Sequence, residues 1–126
     1  MNTPIYRAWC EKDSEYAVGF FISDDKENEI LTRLDSGEMY ARGIDTTTLA
    51  IHFPDMLDSG GNKIFASLNT NGKGGDIVEN YCFSNDYKEQ IAIYDNYMFC
   101  LVDKDRDTYC LSDIENDGLK IIGVQK

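Results

Sequence analysis

Apolar and polar positions along this chain alternate mostly with a period of two, and helical spacing is scarce. Ile5-Tyr6-Arg7-Ala8-Trp9-Cys10 predicts a first strand. Tyr16-Ala17-Val18-Gly19-Phe20-Phe21-Ile22 predicts a second, with Glu11-Lys12-Asp13-Ser14 as the turn between them. Residues 24–28 read as a charged loop. Residues 29–34 fit a strand or one helical turn, broken by Asp35-Ser36-Gly37. The β-branched run 46–53 predicts a strand that ends at Pro54, which disfavours helix just before it. Beyond Gly75 the pattern is most regular, with strands expected at 77–83, 90–94, 97–102 and 108–111. Asp95-Asn96 and residues 104–107 supply the turns. Residues 112–118 suit a short helical turn with Ser112 as its cap, and residues 119–124 a closing strand.

Five short strands in about fifty residues, with a single turn before the last, suit a small closed barrel. The expected fold is therefore mainly β: an N-terminal β meander joined to a C-terminal SH3-like small β-barrel, with one or two short helical turns. Residues 1–57 form the N-terminal lobe and residues 76–126 the barrel. Residues 58–75 are a turn and Gly-rich connecting loop, and the whole is one compact unit. Within that connector, residues 66–75 read as a linker or mobile loop. No internal repeat or low-complexity segment stands out.

At 126 residues the chain buries roughly two-thirds of its unfolded surface, enough to be stable without metal or disulfide. Composition is that of a globular protein, 42% hydrophobic and 12% aromatic, which excludes a disordered chain. The net charge is −11 and the pI about 4.3. Acids outnumber bases 11 to 5 in residues 1–57 and 12 to 7 in residues 58–126, so the charge covers both halves rather than a tail. Such a surface repels nucleic-acid phosphates and anionic membranes and favours a basic partner or none. Met1-Asn2-Thr3-Pro4-Ile5 lacks a basic region followed by an apolar core, and no apolar run reaches the ~18 residues of a membrane helix. The expected compartment is the cytoplasm, with Cys10, Cys82, Cys100 and Cys110 as reduced thiols. Cys100 and Cys110 can face each other across a hairpin, but buried free thiols are the expected state.

The candidate chemical motifs each fail a geometric requirement. Asp103-Lys104-Asp105-Arg106-Asp107 opens like a calcium loop, but Thr108 and Ile114 stand where Gly and a bidentate Glu are needed. The cluster Asp113 to Asp117, followed by Gly118, fails at Val124 in the same way, leaving only weak adventitious cation binding at either cluster. Asn71-Gly72-Lys73-Gly74-Gly75-Asp76 resembles a phosphate loop, yet Lys73 precedes Gly rather than Ser or Thr, and a strand rather than a helix follows. Gly75-Asp76 reads instead as a positive-φ turn, with Asp76 bonding nearby backbone N–H groups. His52 is the sole histidine, so any Ser/His/Asp or Cys/His site must use it; its apolar strand favours a structural role. No paired His or Cys-x-x-Cys exists to bind zinc. Carboxylates abound, and sequence does not show which of them pair as glycosidase chemistry requires. No cofactor is expected.

Arg7 and Trp9 share one face of the first strand, Trp9 as an anchor and Arg7 stacking or pairing with a carboxylate. Tyr81, Tyr94, Tyr97 and Tyr109 decorate the expected barrel, as half-buried cross-strand pairs or as a peptide groove. Arg7, Trp9 and these four tyrosines are the candidate contact surface.

The chain resembles the YopX-like proteins of phages and prophages. Tyr6-Arg7-Ala8-Trp9 matches their aromatic-Arg-Ala-Trp strand. Gly61-Asn62-Lys63-Ile64-Phe65 and Gly75-Asp76-Ile77-Val78 match their central pattern, and Ile121-Ile122-Gly123 their closing one. Two departures are the insert Ala66 to Gly74 and Val124 in place of Asn. The resemblance implies a β-rich fold with a C-terminal SH3-like barrel, a mobile-element origin and homo-oligomers, and no activity. The leading expectation is a non-enzymatic prophage-type accessory protein in the host cytoplasm, acting by contact with a protein partner or with itself. An acidic nucleic-acid-mimicking inhibitor of a basic host protein is the first alternative, and a small hydrolase with a pocket around His52 or clustered carboxylates the second.

Overall fold

A computed structural model describes residues 4–23, 27–80, 88–95, 98–103, 108–110 and 118–126. The chain is mainly β, and no α-helix occurs among the described residues. The strands are β1 (Ile5–Cys10), β2 (Glu15–Ser23), β3 (Asn28–Arg33), β4 (Met39–Gly43), β5 (Asp45–His52), β6 (Ala66–Ser67), β7 (Asp76–Asn80), β8 (Lys88–Asp95), β9 (Met98–Val102), β10 (Thr108–Cys110) and β11 (Leu119–Val124). Residues 29–34, which fit strand or helix by pattern, lie mostly in β3. The expected helical turn at 112–118 lies almost wholly outside the described residues.

One sheet runs β10-β9-β8-β6-β5-β1-β2-β3-β4, and β7 joins it by pairing with both β8 and β11. Alternation sets the faces of β1. Ala8 and Cys10 are buried with Ala17, Ile30 and Leu49 in one core, while Arg7 and Trp9 point the other way. The second core joins Ile64, Ala66, Val78, Ala92, Leu101 and Leu119. In β5, Thr48 through His52 are buried without alternation, because this strand has neighbours on both edges and protein on both faces.

The segment between the halves departs from its expected role. Residues 66–75 are not a loose linker. Ala66 and Ser67 form the short strand β6, antiparallel to β5 and parallel to β8, and both are buried. Gly72, Gly74 and Gly75 are buried as well. Positive φ falls at Gly72 and Gly74 (both +85°), not at Gly75. A Cβ on Gly74 would collide with the Thr48 carbonyl and one on Gly75 with the Ala92 carbonyl. These glycines permit close approach of backbones, so flexibility is not their function here.

A bulge in the β1–β5 pairing completes the junction. The register jumps from Arg7↔Ala50 to Trp9↔Asp45. Thr48 Oγ1 accepts the Trp9 N–H at 2.8 Å, replacing the lost ladder bond, and donates to Asp45 O at 2.7 Å. Asp58 pins the preceding turn. Its carboxylate accepts the N–H groups of Gly60 and Asn62, at 2.9 and 2.8 Å, and that of Ile121 in β11 at 3.3 Å.

Candidate functional site

The first cluster of functional-looking side chains sits at the junction. Arg7 donates from one nitrogen to Asp76 Oδ1 at 2.8 Å and to Gly74 O at 2.8 Å. Its guanidinium lies 4.6 Å from the Phe65 ring centroid and 5.2 Å from that of Tyr16. Asp76 Oδ2 accepts the Phe65 N–H at 2.8 Å. Burial pushes the Asp76 carboxyl above its ordinary range, while the Arg7 guanidinium and the Phe65 N–H pull it back in part. Close by, the His52 ring N–H donates to Ile64 O at 3.0 Å and the ring packs against Phe65. Burial holds the imidazole below its usual pKa, against the raising effect of the Ile64 carbonyl. Apart from the buried Arg7 Nε, which has no hydrogen-bond partner among the described residues, these polar groups bond one another and the backbone, which makes the cluster a fastening between β1 and β7.

The remaining sequence candidates fall in different places. Trp9 packs edge-on against Tyr16 with ring centroids 5.1 Å apart. Tyr94 belongs to an aromatic cluster with Phe53 and Phe99 against the second core. Tyr109 is in β10, opposite Leu101, and Cys110 pairs in register with Cys100. Tyr81 and Tyr97 lie outside the described residues, as do residues 104–107 and 113–117 of the acidic clusters. The structure thus brings Arg7 and Trp9 into one region through Tyr16, and sets Tyr94 in the other half. Among the described residues, no group of three or more His, Cys, Asp or Glu is placed to hold a metal ion, and no helix is long and apolar enough to cross a membrane.

A second region was not singled out from the sequence. The register aligns Phe20 with Leu31 and Leu31 with Ala41, so these three share one face of β2, β3 and β4. Val18 and Ile22 flank Phe20 on that face, and Met39 joins it through its partner Arg33. Phe20 remains 48% exposed, Met39 44%, Ile22 41% and Val18 40%. The clue in the sequence is that β2 is apolar at odd and even positions alike. Ala17 and Phe21 serve the core, so Val18, Phe20 and Ile22 must face the other way.

The outer edge of this sheet is β4, which pairs only with β3 among the described residues. Leu34 N–H donates to Glu38 O and Ile44 N–H to Asn28 O. In an antiparallel ladder these bonds fix the alternation, so the N–H and C=O groups of Met39, Ala41 and Gly43 point away from β3. Beside the Gly43 end lies a cavity of about 610 Å³, reaching the core at Cys10 and Ile44. Glu11, Asp13, Glu27, Glu29 and Asp45 line it, against Lys12 and Arg42. Arg42 is already engaged with Glu15 at 2.9 Å and Asp13 at 3.6 Å. Hydrogen bonds from the Thr47 hydroxyl and N–H keep Asp45 below the usual carboxylate range.

Comparison of the chain with protein-family models, with curated proteins and with solved structures finds no match.

Proposed function

We propose that this protein is a non-enzymatic, protein-binding accessory module of the YopX-like type, and that its contact surface is the β2–β3–β4 sheet. The observation that carries the reading is the exposed apolar row Val18, Phe20, Ile22 and Met39 on a single sheet face. Scattered apolar residues are normal on a surface; several exposed large ones sharing one sheet face mark a contact site. The buried polar groups do not compete with this reading. His52, Asp76 and Arg7 are committed to structural bonds, and the cavity is lined without His52. A net charge of −11 opposes close packing of two copies and favours a partner of basic character.

The architecture on offer is two similar lobes. Strands β7 to β10 pair in sequence and β11 returns beside β7. Strands β1 to β4 pair in sequence and β5 returns beside β1. A last strand returning beside the first is what closure of a five-stranded SH3-like barrel requires, which supports that reading of residues 76–126; the consecutive pairing of β1 to β4 supports a meander in the N-terminal lobe, to which β5 adds beside β1. The β2–β3–β4 face of the N-terminal lobe leaves Val18, Phe20, Ile22 and Met39 exposed.

Site-specific photo-crosslinking in the source cell tests the proposal. A benzophenone side chain at position 20 or 39 should crosslink to one discrete partner. The same group at position 120, exposed on β11, should not. Equal crosslinking from all three positions, or none from positions 20 and 39, overturns it.

A further inference from the structure

We infer that the partner contributes an extended basic segment, which adds to the sheet as a strand beside β4 and places a Lys or Arg side chain in the acidic cavity at its end. This rests on the protein-binding reading above and names the chemistry of the partner.

Three features converge on it. The edge offers backbone donors and acceptors at Met39, Ala41 and Gly43, at alternate residues, which is the template for strand addition. Among the described residues the edge is also unguarded. Exposed edges are ordinarily blunted by Pro or by outward charges, but β4 has no Pro, and its one charged side chain, Arg42, is turned onto Asp13 and Glu15. Finally, the cavity continues the line of the strand. Ala41, Arg42 and Gly43 belong to its wall, and beyond them lie Ile44 and Asp45. A peptide lying along β4 therefore runs past its mouth.

Charge decides the occupant. Among the described residues, five carboxylates against two cations line the cavity, so the two cations do not neutralise it. A second copy of this chain would bring a surface of the same sign. An acidic segment would meet repulsion at close range, whereas a cationic side chain gains from each carboxylate it approaches. The strand edge fixes position and direction, and the cavity selects for positive charge. Phe20, Leu31 and Ala41 extend the contact to alternate side chains of the incoming strand that lie on their face.

The test uses the full chain labelled with ¹⁵N and three synthetic ten-residue peptides. One alternates Lys and Thr, one alternates Glu and Thr, and one repeats the Lys–Thr sequence with alternate backbone nitrogens methylated. The Lys–Thr peptide should bind saturably and protect the amides of Met39, Ala41 and Gly43 from exchange. The Glu–Thr peptide should not bind, and N-methylation should weaken binding at least tenfold. A Glu11→Gln, Glu29→Gln double variant, checked for unchanged near-ultraviolet circular dichroism, should bind the Lys–Thr peptide about tenfold more weakly. Equal binding of the acidic peptide, failure of the basic one, or binding that leaves the β4 amides unprotected overturns the inference. Crosslinking from position 20 then separates the two claims. A partner captured there, with no peptide protection of β4, would sink the extended basic strand and leave the protein-binding reading standing.

Discussion

Replacing Arg7 with Met should be among the most damaging single changes in the molecule. Asp76 is 1% exposed, so its carboxylate has no water to replace the guanidinium 2.8 Å away. Deleting one partner of such a pair costs about 3–5 kcal/mol, because the other charge is left buried alone. Met keeps part of the packing on Phe65 and Tyr16 but forfeits the cation–π component, worth about 0.5–2 kcal/mol. A loss near 4 kcal/mol is a large share of the roughly 5–15 kcal/mol that holds a domain together. Asp76→Asn should also destabilise, since Arg7 is then buried without its counter-charge. The double variant should lose at least about 2 kcal/mol less than the sum of the two singles. The Arg7→Met deficit should also depend on pH. Burial already raises the Asp76 pKa, and without Arg7 it rises further. The folded variant then binds a proton that the unfolded chain releases, so its stability falls as pH climbs from the unfolded carboxylate value through the folded one. Its deficit relative to the parent should shrink as pH is lowered from 8 to 5. Urea unfolding followed by Trp9 fluorescence measures both effects. Single losses that add within about 0.5 kcal/mol, or a deficit constant with pH, would refute the account of a charged, mutually dependent pair.

Gly74→Ala should cost about 3 kcal/mol or more, because a positive φ and a collision with the Thr48 carbonyl act together, whereas Gly123→Ala, with open space around it, should change thermal stability by about 0.5 kcal/mol or less. Asp58 gives an acid-side prediction. Burial acts to raise its pKa, but hydrogen bonds from the Asn62 N–H and amide and from the Ile121 and Gly60 N–H groups outweigh it, leaving the carboxyl below its ordinary range. Its contribution is therefore full above the unfolded value of about 4 and is lost as pH falls through the lower folded value; Asp58→Asn should flatten that part of the stability profile measured by urea unfolding between pH 6 and 2.

Much of the strand inventory was legible because period-two alternation is a local property. Residues 5–10 read as a strand and form β1; residues 16–22 and 46–53 locate β2 and β5 to within a residue. β4 was missed because Met-Tyr-Ala-Arg-Gly, residues 39–43, carries no alternation of its own, and its pairing with β3 supplies what its composition does not. β6 was missed for a different reason. Two residues ahead of a Gly-rich stretch look like part of a connector until β5 and β8 close on either side. The pairing of Arg7 with a carboxylate was readable as a tendency, but the carboxylate is 69 positions away along the chain, and no local signal selects Asp76 among 23 acids. The apolar row at Val18, Phe20 and Ile22 was visible as an excess of hydrophobic positions in β2, without any indication of which face would be covered.

The sequence by itself determined the β character, the negative charge and the turn at residues 11–14 between β1 and β2, since each follows from composition and near-neighbour sterics. Tertiary structure alone decided that glycines 72, 74 and 75 would be packing sites, that Arg7 would fasten β1 to β7, and that, among the described residues, β4 would pair only with β3 beside an acidic cavity. Those outcomes depend on which backbones approach one another across long separations, and a side chain's partner is set by that approach rather than by its own chemistry.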